Sequence, residues 1–336
     1  SIVFTSGTTG HPKGVIQSHF NLVNNSYTIG KRLEFQNNKH KILVQNPFFH
    51  VFGLVIAIFN SLSFGNTLIL PSASFKAESS IAALIKHKCT VLYGTPTMYV
   101  DLCDKAKQID STEIKSPQIA VSGGALCSPH LFSRMIECFE CDRVFSVYGQ
   151  TECTAVSFQS TAKDSTFLMT STVGTVGEHL EVKIVNKNGE VVPKGVAGEL
   201  CVRGYSLMKG YWDEEEKTKE VITPDGWLKT GDLFILLENN YGQVIGRLKD
   251  IIIRGGENIS PKEIEEFLLT HPDIFQAEVY GVKDDRMGEE VGCSLIMKNN
   301  KTLTPEQVQY FCKGKIAHYK IPKYIEFLNE YPKTVS

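Results

Sequence analysis

Neither sign of charge is in excess along this 336-residue sequence: 35 Lys and Arg stand against 37 Asp and Glu, a formal net charge of −2. Nucleic-acid-binding domains usually carry a clear basic surplus, so that class of function is disfavoured. Long apolar runs are missing too. The most apolar stretch, 54–62 (LVIAIFNSL), is far too short to cross a bilayer and contains Asn60, so it reads as a buried helix. There is no internal repeat and no low-complexity tract. A disulfide framework is also absent, because nine cysteines are scattered at 89, 103, 127, 138, 141, 153, 201, 293 and 312. That odd count points to a reducing intracellular compartment. Cys138 and Cys141 form a C-x-x-C, but no second ligand pair lies nearby. The segment HLFSRMIECFEC reads as an amphipathic helix end with two reduced cysteines rather than a zinc or redox site. No initiator Met is present, and the chain opens directly into a strand and loop. The expectation is an internal piece of a longer protein, with any targeting segment upstream.

What is present is ordinary globular composition, 42% hydrophobic and 21% charged, with a mean hydropathy of −0.10. That suffices for one large domain and a smaller second one. From Lys41 to Gly149, short apolar runs alternate with helix-like stretches. ILV (42–44), TLIL (67–70), TVLYG (90–94), QIAVSGG (118–124) and RVFSVYG (143–149) read as buried strands; 52–64, 77–88, 96–107 and 128–139 read as helices. The alternation predicts an α/β fold with a parallel sheet covered on both faces. Ligands of such sheets bind beyond the strand C-termini, where GTP (94–96), SGG (122–124) and YGQTE (148–152) fall. After about residue 160, strand alternation with Gly, Asn and Pro turns predicts a β-rich subdomain extending to 246. Residues 247–336 then read as a small α+β domain. There Ile251–Ile253 is expected as a strand and Gly255–Gly256 as a turn. Ser260, Pro261 and Glu263 match an N-cap, an N1 proline and a capping box.

The segment 5–14, TSGTTGHPKG, follows an apolar strand. Its glycines let backbone N–H groups turn toward an anion, four hydroxyl residues add donors, and Lys13 supplies a point charge suited to phosphate oxygens. On chemistry alone a solvated Ser/Gly turn remains open. The spacing matches neither G-x-x-x-x-G-K-[ST] nor G-x-G-x-x-G, which disfavours a P-loop kinase or an NAD enzyme.

The string TSGTTGxPKG resembles the signature loop of the adenylate-forming superfamily, which includes acyl-CoA synthetases, 4-coumarate–CoA ligases, beetle luciferases and peptide-synthetase adenylation domains. Other motifs of that superfamily follow in order: NPFFHVFG (46–53), YGTPTMY (93–99), SGGAL (122–126), VYGQTE (147–152), GELCVRGYSLMKGYW (198–212), DGWLKTGDL (225–233) and GRLKD (246–250). The strings RGGENISPKEIE, GVKDDRMGEE and CKGKIAHYKIPKYIEF are most similar to the medium-chain-type acyl-CoA synthetases of mitochondria, the group of acyl-CoA synthetase family member two.

The resemblance implies an acid–thiol ligase using ATP, Mg²⁺ and CoA on a carboxylic (fatty) acid, located in the mitochondrial matrix. It implies a large domain (1–246) incomplete at its N-terminus and a small mobile domain (247–336). Thr5, Ser6, Gly7, Thr8, Thr9, Gly10 and Lys13 would bind the ATP phosphates, with Gly123, Gly124, Ala125, Tyr148 and Gly149 beside the adenylate. Thr151 would contact phosphate and Glu152 would bind magnesium. Asp232 would accept from both ribose hydroxyls, which needs a two-oxygen acceptor, and Arg247 would reach the ribose and phosphate region. Lys13, Thr151, Glu152 and Arg247 are the implied catalytic set. His50, Val51, Phe52, Gly53 and Gly123 would border the acyl pocket, although the aromatic segment 48–52 reads equally well as core. Lys249 would be the hinge, and Gly255 and Gly256 would border the CoA tunnel. The closing YPKTVS resembles the start of P-K-T-x-S-G-K, whose catalytic lysine would come two residues beyond Ser336, so this chain is expected to adenylate poorly. Two rivals stay open: a different acyl acceptor, as in luciferases or carrier-protein systems, and a truncated, non-enzymatic nucleotide binder.

Overall fold

Residues along four short strands alternate between two separate apolar cores. Ile42, Val44, Val91, Tyr93, Ile119, Val121 and Phe145 point to one; Leu43, Leu92, Ala120 and Val144 point to the other. Period-two alternation with apolar residues on both faces requires a sheet covered on both sides. The computed structural model describes residues 1–5, 12–109, 113–125, 127, 129–141, 143–298 and 301–331. It forms that sheet from seven strands, in the order Thr67–Ile69, Lys41–Val44, Val91–Gly94, Ile119–Ser122, Arg143–Tyr148, Phe158–Gln159 and Thr175–Val176. The first five run parallel and the last two antiparallel. Helices Ala77–His87, Pro96–Ala106 and Pro129–Phe139 cover one face through Ile81, Leu84, Leu102 and Met135. The α/β class, the five parallel strands and these three helices are those expected from the sequence.

The other face carries two features that the sequence did not announce. Helix His19–Arg32 is rich in Asn, Ser and Thr, which are indifferent helix formers. It is held by a capping box between Ser18 and Asn21 and by packing of Leu22 and Ile29. The expected helix at 52–64 begins with eight residues of π-helix, Phe52–Phe59, before turning α-helical at Asn60–Phe64. Wide helical turns of this kind cluster at functional sites.

The chain divides into two compact units, one holding Ser1–Thr230 and Ile235–Val244, the other Gly231–Phe234 and the chain from Ile245. A four-stranded sheet of Leu180–Val185, Gly198–Gly204, Leu228–Leu236 and Gly242–Arg247 contains the boundary, which falls inside its last two strands. A three-stranded antiparallel sheet joins Ile2–Phe4, Gly14–Ile16 and Gly210–Tyr211.

The second unit is built on the strands Glu257–Ile259, Ile252–Arg254, Gly288–Met297, Ile274–Asp284 and Tyr324–Phe327. Ile264 and Leu268 of helix Pro261–Leu268, with Val308 and Cys312 of helix Pro305–Cys312, pack into its core. Ser260 does precede Pro261 at the helix start, but it makes no side-chain cap. Its hydroxyl donates instead to Ile245 O (2.8 Å), and Glu263 pairs with Lys320 Nζ (2.5 Å). A stronger partner for each group outcompetes the capping box. The box forms at the other helix, where Gln307 N donates to Thr304 Oγ1 (3.3 Å) and Thr304 N to Gln307 Oε1 (2.8 Å).

Glu265 lies between helix Pro261–Leu268 and strand Ile274–Asp284, accepting from Val279 N (2.9 Å). Burial, reinforced by the charges of Glu278 and Glu266, pushes its carboxyl up to about 7 against that hydrogen bond. A carboxyl whose folded value is raised contributes stability that is complete below its unfolded value near 4.5 and lost as pH rises through about 7. Glu265→Gln keeps the acceptor for Val279 without the charge. Urea unfolding midpoints followed from pH 4.5 to 8 should therefore fall less with pH for the variant, with the difference opening between about pH 4.5 and 7 and staying constant above that.

Candidate active site

Three adjacent parallel strands end side by side in the segments singled out from sequence. Val91–Gly94 runs into Thr95 and Pro96, Ile119–Ser122 into Gly123, Gly124 and Ala125, and Arg143–Tyr148 into Gly149 to Glu152. The crevice outside the strand C-termini is where such sheets bind ligands. Gly123 is buried with no room for a side chain, since a Cβ there would lie 2.4 Å from Val147 Cγ2 and 3.0 Å from Phe52 Cε2. Gly149 is tighter still. After it the chain folds back so closely that a Cβ would sit 2.1 Å from Ala155 O. That fold-back is the single 3₁₀ turn Thr151–Cys153, which carries Thr151 and Glu152.

Side chains from helix His19–Arg32 and the residues before it clamp this turn. Gln17 Nε2 donates to Thr151 O (2.7 Å), and Asn25 Nδ2 donates to Cys153 O (3.2 Å), Thr154 O (2.6 Å) and Val156 O (3.0 Å). From the other side Met208 N donates to Glu152 O (2.8 Å) and Thr154 Oγ1 to Ser206 O (2.6 Å). The backbone that aims Glu152 is therefore fixed by buried hydrogen bonds on two sides.

Thr5 and Lys13 close the neck of the phosphate loop: Thr5 N donates to Lys13 O (3.0 Å) and Lys13 N to Thr5 Oγ1 (3.2 Å). Ser6, Gly7, Thr8, Thr9 and Gly10 lie outside the described residues, as does the closing segment 332–336. Lys13 Nζ lies over the Tyr211 ring, 4.2 Å from its centroid, and donates to Tyr211 Oη (3.1 Å). Tyr211 Oη in turn donates to Glu152 Oε1 (2.8 Å). Burial, and then the Glu152 charge, hold the Tyr211 phenol far above its ordinary range, so it remains a donor. Tyr211 lies in the segment GELCVRGYSLMKGYW, where sequence alone does not reveal its role. Its partnership arises from pairing of Gly210–Tyr211 with Gly14–Ile16, almost two hundred residues apart in sequence.

Of the residues expected to border the acyl pocket, Val51 and Phe52 are buried in the first core, with Phe52 edge-on to Tyr93 (ring centroids 5.8 Å). Phe49 is 63% exposed. His50 Nδ1 accepts from Phe52 N (3.1 Å), which leaves Nε2 as the protonated nitrogen, and burial lowers its pKa, so the ring is a neutral donor. Gly53 lies against Pro47 O, which a Cβ would approach to 2.3 Å.

Within the second unit, Asp232 is 4% exposed and pairs with Arg247 (Nε to Oδ1, 3.1 Å), so the two expected ribose-binding residues meet. Lys249 lies in the 3₁₀ turn Leu248–Asp250. Gly255 and Gly256 form the turn between Ile252–Arg254 and Glu257–Ile259, where Gly255 N donates to Met287 O (2.8 Å). In the C-x-x-C, neither cysteine is in a disulfide and the two face separate carbonyls: Cys138 Sγ faces Cys103 O (3.9 Å) and Cys141 Sγ faces Met135 O (4.0 Å).

Comparison with known families gives matches at both ends of the chain. Residues 1–212 match the model for the AMP-binding enzyme and residues 263–336 that for the AMP-binding enzyme C-terminal domain. The chain belongs to the AMP-binding enzyme family. It is 43% identical over 338 residues to the mitochondrial medium-chain acyl-CoA ligase ACSF2 of Danio rerio, an alignment covering all of this chain and 56% of that protein. The chain thus spans about half the length of the curated relatives it matches. Among solved structures, ATP-bound MatB from Rhodopseudomonas palustris superposes with a TM-score of 0.90 at 29% identity, covering 99% of this chain and 65% of MatB. O-succinylbenzoate CoA synthetase (MenE) from Bacillus subtilis, in complex with ATP and magnesium, superposes with a TM-score of 0.84 at 29% identity, covering 99% of this chain and 67% of MenE. Membership of the AMP-binding family and the two-domain fold of these neighbours agree with the resemblance carried by the loop at 5–14.

Asn25→Ala removes the donor shared by three buried carbonyls around the Glu152 turn. It should lower unfolding stability by about 2–3 kcal/mol, measured by urea denaturation, because those carbonyls lose their partner without regaining water.

Proposed function

We propose that this chain carries the nucleotide and acyl sites of an acyl-CoA ligase, which activates a medium-chain fatty acid with ATP and passes it to CoA. The observation that carries this reading is the placement of Lys13 and Glu152. Opposite charges, both hydrogen-bonded to Tyr211, stand at the C-terminal edge of the parallel sheet in a chain similar to medium-chain acyl-CoA ligases. In the first half-reaction a carboxylate oxygen of the acid attacks the α-phosphorus of ATP, and the bond to the departing pyrophosphate breaks, leaving acyl-AMP. In the second, the CoA sulfur, as thiolate, attacks the acyl carbonyl and AMP leaves with the bonding electrons.

Two anions must meet in the first step, so the protein's main task is to neutralise and position charge. Lys13 and the N–H groups of the loop at 5–10 would receive the phosphate oxygens, and Thr151 would add a hydroxyl. Glu152 suits Mg²⁺: it is a hard oxygen donor on a rigid turn beside a phosphate loop. Among the described residues no cluster of three metal-ligating side chains forms a ready-made cage. One carboxylate completed by substrate phosphates is the way Mg²⁺ is usually held with nucleotides. When bound there, the ion would offset phosphate charge as it develops.

Gly123, Gly124, Ala125, Tyr148 and Gly149 would border the adenylate, Asp232 would accept from the ribose hydroxyls, and Arg247 would reach the ribose and phosphate. His50, Val51, Phe52, Gly53 and Gly123 would border the acyl chain, with the neutral His50 ring offering Nε2–H. Gly255 and Gly256 would line the approach of CoA once the second unit turns about Lys249 to exchange one half-reaction for the other. The mitochondrial name of the relatives supports a place for the full-length protein in the mitochondrial matrix.

Two substitutions in the full-length protein test these roles. Glu152→Ala should slow ATP–pyrophosphate exchange by about a hundredfold or more, the usual scale for losing one preorganised electrostatic stabiliser; exchange within a few-fold of wild type would remove Glu152 from the site. Lys249→Pro should spare acyl-AMP formation and impair thioester formation, followed by separate assays of pyrophosphate and acyl-CoA. Equal loss of both would place the hinge elsewhere.

A further inference from the structure

The strand around Tyr211 lies between the two charged groups of the site and is hydrogen-bonded to the strand that follows Lys13 on one side and to the backbone of Glu152 on the other. On one side Lys209 N donates to Ile16 O (2.9 Å) and Trp212 N to Gly14 O (2.7 Å), which fixes the strand against the residues after Lys13. On the other, Met208 N donates to Glu152 O (2.8 Å). Tyr211 is 5% exposed and its hydroxyl is shared, accepting from Lys13 Nζ (3.1 Å) and donating to Glu152 Oε1 (2.8 Å). Among the described residues, Lys13 and Glu152 form no direct ion pair. An ammonium and a carboxylate this close, in a partly buried place, would gain by closing on each other if nothing stood between them. Such a pair would have to be broken before the carboxylate could take a cation or the ammonium a phosphate oxygen.

We propose that Tyr211 is a positioning residue for adenylation. Its hydroxyl satisfies Lys13 and Glu152 at once and keeps them from closing into an ion pair, so that each stays open to its own ligand. It rests on the ligase reading above in taking phosphate as the ligand of Lys13 and Mg²⁺ as that of Glu152. The phenyl ring has a separate task, carrying the lysine on its face, and that contact survives loss of the hydroxyl.

The decisive variant is Tyr211→Phe in the full-length enzyme, which keeps the ring and removes only the shared hydroxyl. The Mg²⁺ concentration for half-maximal acyl-AMP formation should rise about tenfold, the scale expected for one hydrogen bond to a charged group, while kcat recovers at saturating Mg²⁺. Binding read without turnover should agree: Mn²⁺ titrated with a non-hydrolysable ATP analogue and followed by electron paramagnetic resonance should show the same weakening. A double-mutant cycle gives a third readout. Metal-free binding of the ATP analogue should weaken in Tyr211→Phe but not when the same change is made in a Glu152→Gln background, where no carboxylate remains to trap the lysine.

Wild-type Mg²⁺ and Mn²⁺ dependence in Tyr211→Phe would overturn the proposal. So would a fall in kcat at every Mg²⁺ concentration with normal Mn²⁺ affinity, which would make the residue part of the framework only. If the Mn²⁺ and cycle results hold but the wild-type enzyme forms no acyl-AMP, the positioning role stands and the ligase reading fails.

Discussion

Met208 to Trp212 is hydrogen-bonded along both sides, to Ile16 and Gly14 on one and to Glu152 on the other. These backbone bonds bring three distant parts of the chain to one place: the end of the loop at 5–14, the 3₁₀ turn after the fifth parallel strand, and the motif at 198–212. Side chains could not be held in such a relation by loops alone, since each has several rotamers and a long reach. Backbone hydrogen bonds reduce the problem to the side-chain torsions of Lys13 and Glu152, and Tyr211 addresses those. The apolar cores on either face of the sheet matter to the site mainly by holding the strand ends still enough for this stitching to keep its register.

Chemical logic runs from charge to geometry here. In the proposed adenylation a carboxylate and a triphosphate, both anions, have to meet, and the site offers opposite charges of its own placed within a few ångströms of each other. That answer carries a hazard, because groups placed to bind external ions of either sign can also bind each other. A neutral hydroxyl with one donor and two acceptor positions is a suitable spacer: it satisfies both groups and yields to stronger ligands. Asp232 and Arg247 show the alternative, a direct pair, in the second unit.

How far this was legible in the sequence depends on the range of each interaction. The strands between Lys41 and Tyr148 were readable because apolar runs bounded by turns are local; Gly149 was named only through its motif, and the close backbone approach that demands glycine there came from the fold. The role of Tyr211 was not readable, since it depends on its register opposite Val15. Ser260 was misread as part of a capping box because nothing local shows that Ile245 O and Lys320 would claim Ser260 and Glu263. Helix His19–Arg32 was not anticipated, its Asn, Ser and Thr residues being indifferent helix formers; in the fold Asn25 spends its amide on three carbonyls of the Glu152 turn. Residue types that carried family information pointed to ATP, while the pairwise contacts that tune the site needed coordinates.

The eight-residue π-helix Phe52–Phe59 has a consequence for how such a protein diversifies. Each of its hydrogen bonds spans one residue more than in an α-helix, so the segment holds surplus chain between fixed ends. Deleting one residue would let it relax toward the α-helical repeat without moving its flanks, and the side chains inside the segment would face new directions. The packing of Phe52 against Gly123 and Tyr93 would be rebuilt at a stroke, which no single substitution could do. If His50 to Gly53 border the acyl chain as proposed, length change in this turn, rather than exchange of one side chain for another, is the short mutational route to a different acid.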